Sequence, residues 1–214
     1  IIFGECFVGY KYNQVLELGN KNQQPAKFEI ILPEEENKQL DCTVDTPKGI
    51  VPSKSTQKVT CTISTRTIGT IYVPIYVKIL GSDKPPVEIS VSAISVGPKI
   101  ELSEKVLDFG KVEVLKEKEK VLKITNNSPI TAPLSVSFKY ESGMFTVLPT
   151  SFEIAPKQSY DLTIKTKVDD AMKFTDDLLL SVRNCDPIVL PLVSNGIGNT
   201  IVPSINLETV HFDN

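Results

Sequence analysis

The sequence predicts an all-β protein built as two tandem β-sandwiches, each of seven to eight strands and about 100 residues. Three observations carry this reading. Nearly every segment is short, alternates apolar and polar residues at period 2, and is broken by Pro, Gly, Asn or Asp. That is the pattern of half-buried strands in a sandwich. The pattern also recurs. Phe3-Gly4 returns as Phe109-Gly110, and Leu16, Leu18, Asn20 return as Leu122, Ile124, Asn126, each 106 residues later. Finally, no stretch holds a helical period, and residues 169–175 are expected to form one turn at most.

The first unit, residues 1–98, opens on Phe3-Gly4. Residues 14–20 put Leu16 and Leu18 on one face, and Gly19-Asn20-Lys21-Asn22 supplies a turn because Gly and Asn tolerate positive φ. Phe28, Ile30 and Leu32 share a face, and Pro33-Glu34-Glu35-Glu36 is a polar loop. Residues 43–52 hold Pro47 and Gly49 and are expected to be a short edge element. Val59, Cys61 and Ile63 point inward. So do Ile71, Val73, Ile75, Val77 and Ile79, then Ile89 and Val91.

The second unit, residues 99–200, repeats this. Ile100–Leu102 opens it, and the first unit has no equivalent strand. An apolar strand ends at Phe109-Gly110, a charged turn follows, and Leu122 and Ile124 lead into Asn126. Leu134, Val136 and Phe138 answer Phe28, Ile30 and Leu32 at an offset of 106. Ile154-Ala155-Pro156 answers Ile50-Val51-Pro52 at 104, and Leu162 and Ile164 answer Cys61 and Ile63 at 101. Leu178, Leu180 and Val182 answer Ile75, Val77 and Ile79 at 103, and Gly198 answers Gly97 at 101. The alignment gives the first unit three extra residues between Pro52 and Val59. Gly97-Pro98-Lys99 joins the units without a flexible linker, which restricts the angle between them. Residues 201–214, with Ile205-Asn206-Leu207 and Phe212-Asp213, read as the start of a third repeat, so the chain is expected to be a fragment of a longer tandem array.

Composition narrows the function. The chain is 41% hydrophobic and 23% charged, enough for a packed core. No run approaches the roughly 18 apolar residues of a membrane helix, so no membrane insertion is expected, and no signal peptide is visible. The net charge is −3, and the one dense lysine run, 116–123, is interleaved with Glu117 and Glu119. A solvated face is expected, and no nucleic-acid partner. Cys6, Cys42, Cys61 and Cys185 do not recur between units and form no CxxC, so reduced thiols are expected, with a Cys42–Cys61 bridge as the alternative. No metal or cofactor site is expected.

Catalytic residues are not apparent either. The chain holds one histidine, His211, and no Trp. Asp169-Asp170 and Asp176-Asp177 read as solvated loop acids, with calcium the sharper alternative. Phe3 and Phe109 read as plugs at the sandwich ends, with Gly4 and Gly110 permitting a bulge. Asn20 and Asn126 are expected to bond loose backbone groups at the turns. Lys120, Lys123 and Lys139 are the candidate protein contacts.

Asp108-Phe109-Gly110, the charged gap, residues 121–128 (VLKITNNS) and Pro133-Leu134-Ser135-Val136 together resemble the ASH domain, an Ig-like sandwich related to major sperm protein. Residues 152–156 (FEIAP) and 190–198 (LPLVSNGIG) resemble later parts of the same pattern, and the likeness covers both units. It departs where Ser128-Pro129, and Gln23-Gln24-Pro25 in the first unit, replace the usual Gly after the turn asparagine. The resemblance implies two tandem Ig-like domains of the ASH and major-sperm-protein type. A tandem array of them resembles hydin-like proteins of the motile-cilium central apparatus. That implies a non-enzymatic scaffold in the cytoplasm, cytoskeleton and ciliary or flagellar axoneme, docking axonemal or microtubule-associated proteins in a large assembly. The alternatives are a peptide-binding adaptor of the major sperm protein type and an extracellular Ig-like adhesion domain. The second would need repeated disulfides and a Cys–Trp–Cys pattern, which the sequence lacks.

Overall fold

A computed structural model describes residues 1–32, 39–140 and 142–198. The expected loop 33–36, His211 and the expected third repeat at 201–214 lie outside these residues.

Every element among the described residues is a strand. In the first unit these are β1 (Ile2–Phe7), β2 (Lys11–Gly19), β3 (Ala26–Ile31), β4 (Leu40–Val44), β5 (Lys48–Val51), β6 (Thr56–Thr65), β7 (Gly69–Ile79) and β8 (Val87–Val96). One sheet runs β1-β8-β7-β3-β5 and the facing sheet β2-β6-β4. The second unit holds β9 (Ile100–Leu102), β10 (Leu107–Glu113), β11 (Glu117–Asn126), β12 (Ala132–Phe138), β13 (Phe145–Val147), β14 (Ser151–Ile154), β15 (Ser159–Lys167), β16 (Lys173–Val182) and β17 (Ile188–Ile197). Its sheets run β10-β17-β16-β12-β14 and β13-β15-β11-β9. β1 pairs parallel to β8, and β10 parallel to β17. The remaining ladders are antiparallel. This is the predicted architecture of two tandem Ig-like sandwiches. The second unit reaches nine strands because the three-residue strands β9 and β13 are paired.

The alternation sets the two cores. On β7, Ile71, Val73, Ile75 and Val77 are buried while Tyr72 and Pro74 face out. On β11 and β15, Leu122, Ile124, Leu162 and Ile164 are fully buried and meet Leu178, Leu180, Leu190 and Leu192 in one cluster. Burial of each such side chain contributes about 1.5–3 kcal/mol, before the entropy of ordering it.

Five expectations require correction. First, β10 does not end at Phe109-Gly110 but runs to Glu113. Its register against β17 slips between Asp108 and Lys111, where Gly110 takes φ 65. The same slip occurs between Ile2 and Glu5, with Gly4 at φ 69. A bulge adds a residue without ending the ladder. Second, most of the charged run is strand rather than turn, because β11 begins at Glu117.

Third, the internal alignment shifts by one or two positions. Leu16 faces Val59 where Leu122 faces Leu162, and Ala26 faces Val51 where Ala132 faces Ile154. Val51 therefore matches Ile154, and Val59 matches Leu162, both at 103. A two-residue slide keeps inward parity, so the apolar pattern does not detect it. The three extra residues of the first unit fall earlier: ten positions separate Leu32 from the paired Cys42, but seven separate Phe138 from Phe145. Fourth, the expected edge element at 43–52 is two strands, β4 and β5, parted near Pro47. Fifth, Ile79 keeps the inward parity of β7 but is 43% exposed; residues 169–172 are bends, within the one turn at most expected there.

Candidate protein-docking surface

The turn asparagines form one motif built twice. Asn126 is fully buried at the end of β11. Its Nδ2 donates to the carbonyls of Ile130 at 2.8 Å, Ile154 at 3.0 Å and Ala155 at 3.3 Å. Its Oδ1 accepts from the Ser128 N–H at 3.0 Å and from the Ser128 hydroxyl. Asn20 repeats this, donating to Gln24, Val51 and Pro52 carbonyls at 2.8, 3.1 and 3.2 Å and accepting from the Asn22 N–H at 3.0 Å. An amide fits because it presents donor and acceptor together, and one side chain ties the end of β2 or β11 to the end of β5 or β14. Asn126-Asn127-Ser128 also has the spacing of a glycosylation sequon, but the Asn126 side-chain nitrogen is buried and engaged by three carbonyls.

The Phe-Gly pairs sit at the opposite end. Phe109 is buried and lies 5.9 Å from Phe145, ring to ring. Asp108 accepts from the Gly110 N–H at 2.7 Å, and Lys118 Nζ donates to the carbonyls of Phe109 and Lys111 at 2.7 and 3.2 Å, securing the bulge. Phe3 is only half-buried against the first core.

The three candidate lysines do not form a patch. Lys120 has the inward parity of Leu122, is half-buried, and lies opposite Ile164. Lys123 faces out from β11 opposite Asp161. Lys139 lies just past β12, where its Nζ is 3.2 Å from Asp177 and 5.0 Å from the Tyr140 ring. Tyr140, then Asp177, hold its ammonium above its ordinary pKa. On the outer face of β11 and β15, Lys165 pairs with Glu117 at 2.7 Å, so charge of both signs is interspersed there.

Of the acid pairs, Asp169-Asp170 is exposed in a bend, as expected, and Asp176-Asp177 differs. Asp176 is not a solvated loop acid but is buried on β16, accepting from the N–H groups of Asp177 at 2.7 Å and Tyr140 at 3.1 Å. No group of three or more His, Cys, Asp or Glu among the described residues is placed to hold a metal ion. Cys42 and Cys61 lie with Sγ atoms 3.7 Å apart and are unbonded thiols. The hydrogen bond to Cys61, then burial, push the Cys42 thiol far up.

Sequence reasoning missed how the junction is held. Gly97 and Pro98 are buried, and a Cβ on Gly97 would lie 2.1 Å from the Asn184 carbonyl oxygen and 2.6 Å from Cys185 Sγ. Cys185 donates its thiol proton to the Pro98 carbonyl at 3.1 Å, and Lys99 pairs with Glu5 of β1 at 2.5 Å. Only glycine fits against the β16–β17 turn there. The lone Gly-Pro step was the available signal.

Comparison with known proteins follows this geometry. The sequence model of the HYDIN/CFA65/VesB-like, Ig-like domain matches residues 1–94 and 98–192. The chain is 28% identical over 218 aligned residues to the hydrocephalus-inducing protein of Mus musculus and, at the same identity and length, to its Homo sapiens homologue. Each alignment covers 98% of the chain and 4% of the relative, so the chain spans a small part of the curated proteins it matches. Among solved structures, the ASH/PapD-like domain 7 of human CEP192 is 15% identical with a TM-score of 0.42, covering 47% of this chain and 87% of that one. Matched twice and in tandem, the chain belongs to the HYDIN/CFA65/VesB-like Ig-like domain family.

Proposed function

We propose that the chain is a non-enzymatic scaffold and protein-docking segment of a longer tandem array in the axoneme of a motile cilium or flagellum, at the central apparatus. Its units divide near residues 98 and 200. The observation that supports this best is the docked junction. Gly97 sits against the Asn184 carbonyl, Cys185 bonds Pro98, and Lys99 bridges to Glu5, so adjacent beads are held at a set angle. A spacer transmits position only if its joints resist bending. The likeness to the hydrocephalus-inducing proteins supplies the ciliary setting, and the role of Ig-like and ASH domains as interaction modules supplies the docking. The scattered lysines do not form the basic face that a reader of acidic peptides requires.

The test is localisation. A tagged full-length protein containing this segment, expressed in a multiciliated cell, is expected along the axoneme and enriched at the central pair by expansion or immuno-electron microscopy. Diffuse cytoplasmic or cell-surface signal would overturn the ciliary reading.

A further inference from the structure

We propose that the open end of the first sandwich is a docking groove for an extended Ile-x-Leu-type segment, supplied by the junction of a like repeat and lying antiparallel to β2. The inference rests on fold geometry and stands whether or not the array is ciliary.

The second sandwich shows such a segment in place. β9 pairs with the Asn126 end of β11, setting Leu102 beside Ile124 and Ile100 beside Asn126. The Ser103 N–H donates to the Lys123 carbonyl at 3.0 Å, and the Asn127 N–H to the Lys99 carbonyl at 2.8 Å. Ile100 and Leu102 pack against the core cluster.

Among the described residues β2 has no such cover. It is the nine-residue edge of its sheet, the longest edge strand among the described residues. The Asn20 N–H turns inward to the Ser55 carbonyl at 2.9 Å, so Gly19 and Lys21 present their amides to the open side. The side chains beneath are correspondingly bare. Leu122 and Ile124 are fully buried, whereas the matching Leu16 and Leu18 are only half-buried. Val182 is 5% exposed and its counterpart Ile79 43%; Ile188 is half-buried and its counterpart Val87 is 56% exposed. Leu16, Leu18, Phe28, Ile79, Val87 and Ile89 line a groove of about 510 Å³.

An incoming strand meets both needs of this edge. Its backbone engages the free amides of β2, as in other strand-addition complexes, and its two apolar side chains on one face cover Leu16, Leu18 and Ile79. The sequence of β9 specifies the chemistry: apolar at the first and third positions and polar between, since Glu101 faces out. A segment attached to the repeat has a high effective concentration, so a short contact suffices.

The test extends the 214-residue chain ahead of Ile1 with Ile-Glu-Leu-Ser-Glu-Lys-Val. These seven residues, 100–106, precede Leu107, the position that matches Ile1. A control leader carries Ser in place of its Ile and Leu. Amide hydrogen exchange is read by NMR at Gly19 and Lys21, with sedimentation of each protein. The apolar leader is expected to slow exchange at both amides at least tenfold over the control, in a monomer. Equal exchange with the two leaders would overturn the proposal. So would protection in the unextended chain that grows with concentration, which would assign the edge to a second copy of the chain.

Discussion

The double asparagine motif makes a quantitative prediction. Asn126→Ala removes one donor group shared by three carbonyls and the acceptor of the Ser128 N–H. The bond to Ile154 is fully buried, whereas those to Ile130 and Ala155 are part-buried, so water can reach the latter two after truncation. Leaving a buried polar group unmatched costs about 1–3 kcal/mol, and an ordinary hydrogen bond contributes about 0.5–1.5 kcal/mol. The sum is about 3 kcal/mol, borne by the second sandwich. At about 4–8 °C per kcal/mol for a domain of this size, its transition should fall by roughly 12–24 °C. Calorimetry reads the shift, and hydrogen exchange of peptides from 117–135 against 11–32 assigns it to a unit, since two domains need not unfold as one. Asn126→Asp should be at least as damaging at neutral pH, because a carboxylate would face three carbonyl oxygens, and partly relieved in acid as it protonates. Asn20→Ala should destabilise the first unit by the same mechanism but less, because that site is 7% exposed. A drop under about 4 °C for Asn126→Ala, or one that falls on the first unit, would refute the reasoning.

Three further outcomes follow from specific contacts. Gly97→Ala drives a methyl into the Asn184 carbonyl and should cost about 1–3 kcal/mol at the junction; faster exchange at 183–187 and a broader interdomain distance distribution by small-angle scattering would show it. Gly110→Ala meets no atom within 4 Å but forces an L-residue to φ 65, so a loss of about 1–2 kcal/mol in the second unit is expected by denaturant titration. The Cys42 thiol is raised by its bond to Cys61 and by burial, so it keeps its proton in the folded state where the unfolded chain loses it. Above the unfolded thiol value of about 8.5, the unfolded state binds fewer protons, and stability should fall as pH rises; Cys42→Ser should flatten that alkaline slope in urea titrations.

The fold was legible because strand period, repeat and turn residues all point to one architecture. Leu122, Ile124 and Asn126 share parity, and so do Leu16, Leu18 and Asn20; that alone places three inward side chains per unit. What parity does not carry is register. Cys61 and Val59 both point inward, so matching Leu162 to either satisfies the pattern, and only the backbone pairing with Leu16 decides. Local charge misled in the same way. The charged gap before Leu122 read as a turn because it is polar, yet β11 already begins at Glu117, and Glu117 and Glu119 are its outer face. Asp176 read as solvated because acids usually are, but it is buried on β16 and accepts from the N–H of its neighbour Asp177 and from that of Tyr140, and the second donor lies 36 residues away in sequence. The junction was least legible, since the partner of Gly97 lies 87 residues downstream at Asn184.

The two sandwiches differ most where one bead meets another. Exposed sheet edges invite unwanted pairing, and proteins blunt them by keeping edge strands short. β4, β5, β9, β13 and β14 are three to five residues long, in keeping with that rule. β2 breaks it at the same place where the second unit carries β9, and a long bare edge over half-buried leucines is a liability in an isolated domain. In an array it becomes a joint: a segment such as Lys99–Leu102 belongs to the connection on one side and to the sheet on the other. A junction that is also a strand cannot swing without breaking ladder bonds and exposing Ile100 and Leu102. Stiffness between beads then follows from strand pairing, and the contacts of Gly97 and Cys185 refine the angle.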